Sequence, residues 1–480
     1  MKALIVLAVI AGVAHADDVD LQAMSTADDS PWPTLELGAA ARARAGYLYN
    51  FDLDRGLTPS GQPLFPVPDE SAQAIAVRDL RLRGDLTVRS RGGTMDLKLR
   101  LDVTDDGSVD LRRAYGELLT PFGVLVAGRM PNQFGLGIAA NSGDCLDCDG
   151  GATSNRVGLV TPVRGYFVAA ALDLASTATG QLAGSQPHAA TLAIVRMHGD
   201  AVRAIRRRGG RTTVDFGGAL AYVWQDSDTP AEYLLADPGP DPATMHRGLD
   251  GVVGSSWLRF EQRALRIEAE ADVVAAGIEQ PSLVPGLLLR EPVQATQLGA
   301  ALESELGAPD GPYGAGVDAG YASGDPAPGF GAFPTLANAA AQPGDLDGSQ
   351  ARPPTDHRID NFRFDPNYRI DRILFHQIIG TVTDAVYVRP HARARLLELG
   401  PGTIGASVAA IASWAIEPTS TPSGQRRLGL ELDSDLAYRT RDGFVARIAH
   451  AVLLPGPAFD GPMLPARPAQ TIELLVGYAL

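Results

Sequence analysis

The sequence predicts an all-β fold, a single transmembrane antiparallel β-barrel of about 18 strands, with 16 as the alternative count. Three observations predict it. Apolar and polar residues alternate over long stretches, short and long connections alternate between those stretches, and after residue 16 no run is long and apolar enough for a membrane helix. Without such a helix, only a closed barrel satisfies every backbone group inside a bilayer.

The alternation begins at Leu35. Odd positions Leu35, Leu37, Ala39, Ala41, Ala43, Ala45, Tyr47 and Tyr49 are apolar or aromatic, and the even positions include Glu36, Arg42, Arg44 and Asn50. A period of two puts the sets on opposite faces of a strand. Leu80, Leu82, Leu86 and Val88 then alternate with Arg81, Arg83, Asp85, Thr87 and Arg89, and after a short turn Met95, Leu97, Leu99, Leu101 and Val103 alternate with Asp96, Lys98, Arg100 and Asp102. This is a long hairpin. The same pattern returns at Val214–Trp224 positions 214, 216, 220, 222 and 224, and in Leu265, Ile267, Ala269, Ala271 and Val273 against Arg266, Glu268, Glu270 and Asp272. It returns again in Leu428, Leu430, Leu432, Leu436 and Tyr438 against Glu431, Asp433, Asp435 and Arg439, and finally in Ile472, Leu474, Val476, Tyr478 and Leu480. Such stretches exceed the ~5–6 residues of soluble strands and match the ~9–11 tilted residues that cross a bilayer.

Connections at 90–94, 121–123, 261–264, 307–312, 400–403 and 441–443 are short, and those at 50–75, 131–154, 226–250, 275–292, 323–362 and 455–469 are long. Outer-membrane barrels have short periplasmic turns and long outer loops, so both strand ends of the domain fall in the periplasm and the strand number is even. The count assumes two strands at 156–161 and 165–173 and a periplasmic turn at 199–211. Tyr47, Tyr49, Tyr222, Trp224, Tyr321 and Trp414 lie near strand ends, as an interfacial girdle requires.

Met1 and Lys2, the apolar run 3–13 and Ala14-His15-Ala16 have the layout of a secretory signal. The expected organisation is a signal peptide at 1–16, a short periplasmic segment at 17–34 and the barrel at 35–480, with the cell outer membrane as destination. The formal charge of -15 becomes one unit more negative without Lys2, which argues against a nucleic-acid partner. The expected partners are outer-membrane lipid, small solutes and, during biogenesis, the barrel-assembly machinery; the sequence leaves the oligomeric state open.

Leu111-Arg112-Arg113-Ala114-Tyr115-Gly116-Glu117, Thr120-Pro121-Phe122-Gly123, Val126-Ala127-Gly128-Arg129-Met130-Pro131 and Phe134-Gly135 together resemble the paired strands of porin-like families. Tyr321-Ala322-Ser323-Gly324-Asp325 resembles a strand-to-loop exit in the same proteins. The whole pattern is similar to alginate-export and substrate-specific porin barrels and to a related, largely uncharacterised group of predicted outer-membrane proteins. The resemblance implies architecture more than substrate. One departure is the last residue, Leu480, where such barrels commonly carry Phe.

The polar faces supply lumen-lining candidates: Arg42, Arg44, Arg81, Arg83, Lys98 and Arg100 from the first strands, and Arg266, Glu268, Glu270, Glu431, Asp433 and Asp435 from later ones. Opposed walls of this kind either set a transverse field across a pore or pair into a polar filling. Cys145 and Cys148 fall in a loop expected outside the cell, where an oxidising compartment favours a disulfide over free thiols or a metal pair. Asp144, Asp147 and Asp149 beside Gly150 loosely follow a calcium loop, without the standard spacing or closing Glu, and a solvated acidic loop is the plainer reading. Residues 324–354, rich in Pro, Gly and Ala, suggest disorder, and the segment from Asn361 onward suggests order; the whole loop is long enough to fold inward.

No nucleophile elbow, zinc-protease motif or phosphate-binding loop is present, and the eight His are scattered. The expected function is therefore a porin-like channel for passive diffusion of small hydrophilic or anionic solutes, with no cofactor and no enzymatic chemistry. The alternative is a non-conducting scaffold or adhesion barrel acting through its outer loops.

Overall fold

A computed structural model describes residues 33–55, 74–176, 187–225, 248–279, 292–309, 311–326, 358–461 and 464–480. The expected signal peptide, the 17–34 segment up to residue 32, and the 324–354 stretch beyond Pro326 lie outside the described residues.

Among the described residues the alternating stretches form eighteen strands. They are β1 (Thr34–Tyr49), β2 (Ala74–Arg89), β3 (Met95–Thr104), β4 (Val109–Thr120), β5 (Gly123–Pro131), β6 (Thr153–Val163), β7 (Tyr166–Ser176), β8 (His188–Arg196) and β9 (Thr213–Gln225). The second half is β10 (Leu249–Gln262), β11 (Leu265–Ile278), β12 (Val293–Leu306), β13 (Tyr313–Ala322), β14 (Ala385–Leu399), β15 (Gly402–Ala415), β16 (Arg427–Thr440), β17 (Phe444–Pro455) and β18 (Ala469–Ala479). Each strand pairs with its sequence neighbours, and β1 closes on β18 from Ala40 opposite Ala479 to Tyr49 opposite Gln470. Closure leaves no open sheet edge, the condition for a sheet to exist in hydrocarbon.

The two faces are inverted relative to a soluble protein. Leu82, Leu97, Leu258, Leu302, Leu432 and Leu474 point outward and are exposed, whereas Arg42, Arg83, Asp102, Glu117, Glu268 and Glu431 point inward and are buried. An apolar exterior of this extent is costly in water at ~25 cal/mol per Å² and is satisfied by lipid tails. The molecule is an integral membrane barrel. Tyr47, Tyr49, Tyr222 and Trp414 are exposed at one end of the wall and Phe122 and Tyr313 at the other.

Three local features depart from the sequence-based expectation. Residues 199–211 are not a plain turn but carry helix α1 (Asp200–Arg208), which has Asp200 in its first turn and Arg206, Arg207 and Arg208 in its last, charges that suit its dipole. The β3–β4 connection at 105–108 is short although it lies at the end of the long loops. Leu428, expected on the lipid face, is fully buried, because a register shift between Ser413 and Trp414 inserts an extra residue in β16 and turns it inward.

The lumen is filled from the long-loop end by two segments, 132–152 and 358–384. Phe362, Phe364, Ile373, Leu374 and Phe375 of the second join inward-facing Tyr387 in one apolar core inside the barrel. The first corrects an expectation outright. The loop carrying Cys145 and Cys148 does not stand outside the cell but lies against the inner wall, because that wall holds buried arginines that need acceptors.

Candidate solute path between the infolded loops

The wall of β1–β4 is the basic side. Arg42 and Arg81 are opposed in the β1–β2 register and Arg44 faces Asp79. Arg83 makes a two-pronged pair with Asp102 at 2.7 and 2.8 Å, and Lys98 reaches Glu117 at 3.1 Å. Arg100 bonds Asp85 at 2.5 Å and also meets Asp144 of the first infolded loop. Bidentate geometry of this kind suits arginine and carboxylate.

On the acidic side Glu268 and Glu303 are paired with neighbouring arginines. Glu268 accepts Arg259 at 2.8 Å, Arg266 at 3.1 Å and the Trp257 indole at 2.9 Å, and Arg266 also reaches Glu303 at 3.1 Å. Glu270 accepts the amide of Gly137 at 2.8 Å, so the 132–152 loop crosses the whole lumen to β11. Gly135 makes that crossing possible: its φ is +52°, and a Cβ there would sit 2.7 Å from a Glu270 carboxylate oxygen. Glu431 accepts the amides of Arg372, Ile373 and Leu374 at 2.9, 2.8 and 2.9 Å and thereby grips the second loop, while Asp435 takes the Ser407 hydroxyl. The basic and acidic walls thus do not pair with each other. The first loop brings further negative charge to β1–β4, and Glu270 and Glu431 on the other side are met by loop amides.

Cys145 and Cys148 are joined by a disulfide with Cα atoms 5.1 Å apart. The three aspartates around it each pair with arginines, Asp147 and Asp149 sharing Arg44. Asp144 meets Arg100 and Arg113; Asp147 meets Arg447 at 2.5 Å and Arg44 at 3.3 Å; Asp149 meets Arg44, Arg369 and, at 3.1 Å, Arg42. Among the described residues no group of three or more His, Cys, Asp or Glu is disposed to hold a metal ion. Burial raises the Asp149 carboxyl, but Arg369, Arg44 and Arg42 outweigh it and hold the group down to about 2.

Between the two loops and the β18–β1–β2 wall lies a cavity of about 460 Å³. Arg44, Arg369, Arg372, Arg389 and Arg447 line it, opposite Asp79, Asp147, Asp149, Asp371, Asp433 and Glu473. Arg372 is held by Glu473 at 2.6 Å and Arg389 by Asp318 at 2.6 Å. Burial and the nearby Arg369 push the His376 imidazole down to about 3, so the ring meets the cavity uncharged. Sequence reasoning gave two strand members of this cavity, Arg44 and Asp433, from alternation alone, and did not name Asp79, Arg389, Arg447 or Glu473. The inward-folding stretch expected up to Asp371 reaches the cavity, but no role was read for Asp371, Arg372 or His376, which come from a loop with no period to read.

No protein-family model matches the chain, and no curated protein matches it. Solved structures similar to it include OccK9 (OpdG) of Pseudomonas aeruginosa, at 12% identity over 93% of this chain and 98% of that one with a TM-score of 0.49. The BenF-like porin of Pseudomonas fluorescens Pf-5 aligns at 8% identity, 93% and 98% coverage and a TM-score of 0.48. The outer membrane channel DcaP of Acinetobacter baumannii aligns at 11% identity, 94% and 99% coverage and a TM-score of 0.42.

Proposed function

We propose that the protein is a porin-like channel for passive diffusion of small hydrophilic or anionic solutes, with the long loops facing outward and no cofactor or covalent chemistry. The single observation that carries this reading is the cavity between the infolded loops and the β18–β1–β2 wall, bordered by charged side chains of six strands and both loops. Polar groups placed at a narrow passage can exchange for the hydration of a passing solute. The arginines lining the cavity favour anions, yet those named above are each engaged by a carboxylate, which supports moderate rather than strict selectivity. Lipid of the outer membrane surrounds the apolar face, and the barrel-assembly machinery inserts it.

Planar-bilayer recording of the purified, folded protein tests the reading. Discrete conductance steps with a charge-dependent reversal potential are expected. A folded barrel that gives no steps at any voltage sinks the channel. It would leave the scaffold reading, which the apolar core that the 358–384 segment builds across the barrel favours.

A further inference from the structure

The second infolded loop is fastened to the wall by carboxyl groups rather than by cations. Glu431 of β16 accepts three consecutive amides at the start of the π-helical turn Leu374–Ile379, and Asp371 accepts the amides of Phe375 at 2.7 Å and His376 at 2.9 Å. Asp433, next inward on β16, lines the same cavity as Asp371 and has one buried oxygen with no hydrogen-bond partner. Three carboxyl groups therefore crowd one loop anchor. From the other elements packed on this anchor come Arg389 of β14, Arg447 of β17 and Glu473 of β18. Within the loop the charged or titratable neighbours are Arg369, Arg372 and His376, and from the first loop Asp147 and Asp149 approach. Each of these arginines is held by an acid outside the trio: Arg389 by Asp318, Arg372 by Glu473, Arg369 by Asp149 and Arg447 by Asp147.

We propose that this anchor is a proton-operated latch that keeps the 371–379 segment inside the lumen in acid and releases it in alkali, so that the channel opens as pH rises. The proposal rests on the channel reading for its consequence, but not for the movement itself. Burial, with Asp433 adding to it against the Phe375 amide, pushes Asp371 up from 3.8 to about 7. A carboxyl that holds its proton more tightly with the loop in than out favours the infolded loop in full below its ordinary value. That advantage is lost as pH rises through about 7. Above it, a charge on Asp371 adds like-charge repulsion against β16 to the cost of burying it.

The movement is tested on the full chain in detergent with Ile378→Cys, whose site is buried in the core, by timing its reaction with a membrane-impermeant maleimide. Labelling on the order of tenfold faster at about pH 8.5 than at about pH 5.5, after correction for thiol ionisation with an exposed control cysteine, is expected. Adding Asp371→Asn should abolish the difference and hold labelling at the slow rate. Equal corrected rates at both pH values, or full pH dependence retained with Asp371→Asn, overturn the latch. Should Ile378→Cys disturb folding, hydrogen exchange of the 373–379 amides in the unmodified chain gives the same readout. Bilayer recording over the same range then separates the two readings: labelling that responds to pH in a barrel without conductance sinks the channel but not the latch, whereas steady conductance with unresponsive labelling sinks the latch alone.

Discussion

Arg42 and Arg81 stand opposite each other across the β1–β2 pair, each only 3% exposed, and both donate to the carbonyl oxygen of Cys148, Arg42 from 3.0 Å. Two adjacent like charges out of water repel and pay desolvation, so they persist only where acceptors meet them. Asp79 and Asp149 serve Arg42, and Arg81 also bonds the Leu146 carbonyl at 2.9 Å. The position of the disulfide loop is therefore dictated by the wall beneath it. Replacing both arginines by Met should leave a folded barrel, since apolar residues of similar size remove a buried charge problem, while the loop loses its seat. Larger single-channel conductance is the expected result; conductance equal to the parent's would refute the anchoring role.

Asp147 and Asp149 carry the negative charge that balances Arg44, Arg369 and Arg447 at the cavity. Changing both to Asn removes the carboxylates named for Arg369 and Arg447 and leaves Arg44 with Asp79 alone. The reversal potential in a KCl gradient should then move toward chloride, and no movement would place the solute path elsewhere.

The two loops should differ sharply in their titration. Asp149, held down to about 2, contributes to seating the first loop above the ordinary carboxylate range and loses that contribution only as pH falls through about 2. Asp371 behaves in the opposite sense around 7. A carboxyl-carbon NMR titration of aspartate-labelled protein, with assignment by Asp149→Asn and Asp371→Asn, should show one resonance titrating near each value. Two resonances near 4 would contradict both placements.

The disulfide between Cys145 and Cys148 closes a ring of very few residues, for which chain-entropy arguments give about 2 kcal/mol, confined to the loop. Serine at both positions should speed hydrogen exchange of the 142–151 amides and leave the barrel's denaturation midpoint in place. A large fall in that midpoint would show the bridge to support the barrel itself.

The outer face gives a stability test. Leu82 is 50% exposed toward lipid, next in sequence to inward Arg81 and Arg83. Leu82→Arg should cost about 2–4 kcal/mol in a reversible vesicle-folding titration if the site is near the bilayer midplane. A neutral result would mean that this part of β2 lies at the interface or beyond it.

The sequence alone determined the wall. Period-two alternation is local and recurs in many of the strands, so residues such as Leu97 against Lys98 declare their faces without tertiary knowledge, and the turns at 90–94 and 441–443 mark where the chain reverses. Alternation also pointed Arg42, Arg81, Glu268 and Glu431 inward. It could not show Leu428 turning into the core, because a bulge shifts the period by one residue without a mark of its own. The contents of the lumen were decided by tertiary structure. The 132–152 and 358–384 loops have no periodicity, and their inward course follows from demands made by distant strands: buried arginines on β1 and β2 that require the carbonyls of Leu146 and Cys148, and Glu431 on β16 that requires amides from Arg372 to Leu374. Those acceptors and donors lie tens to hundreds of residues apart in sequence, and only closure of the barrel brings them within hydrogen-bond reach.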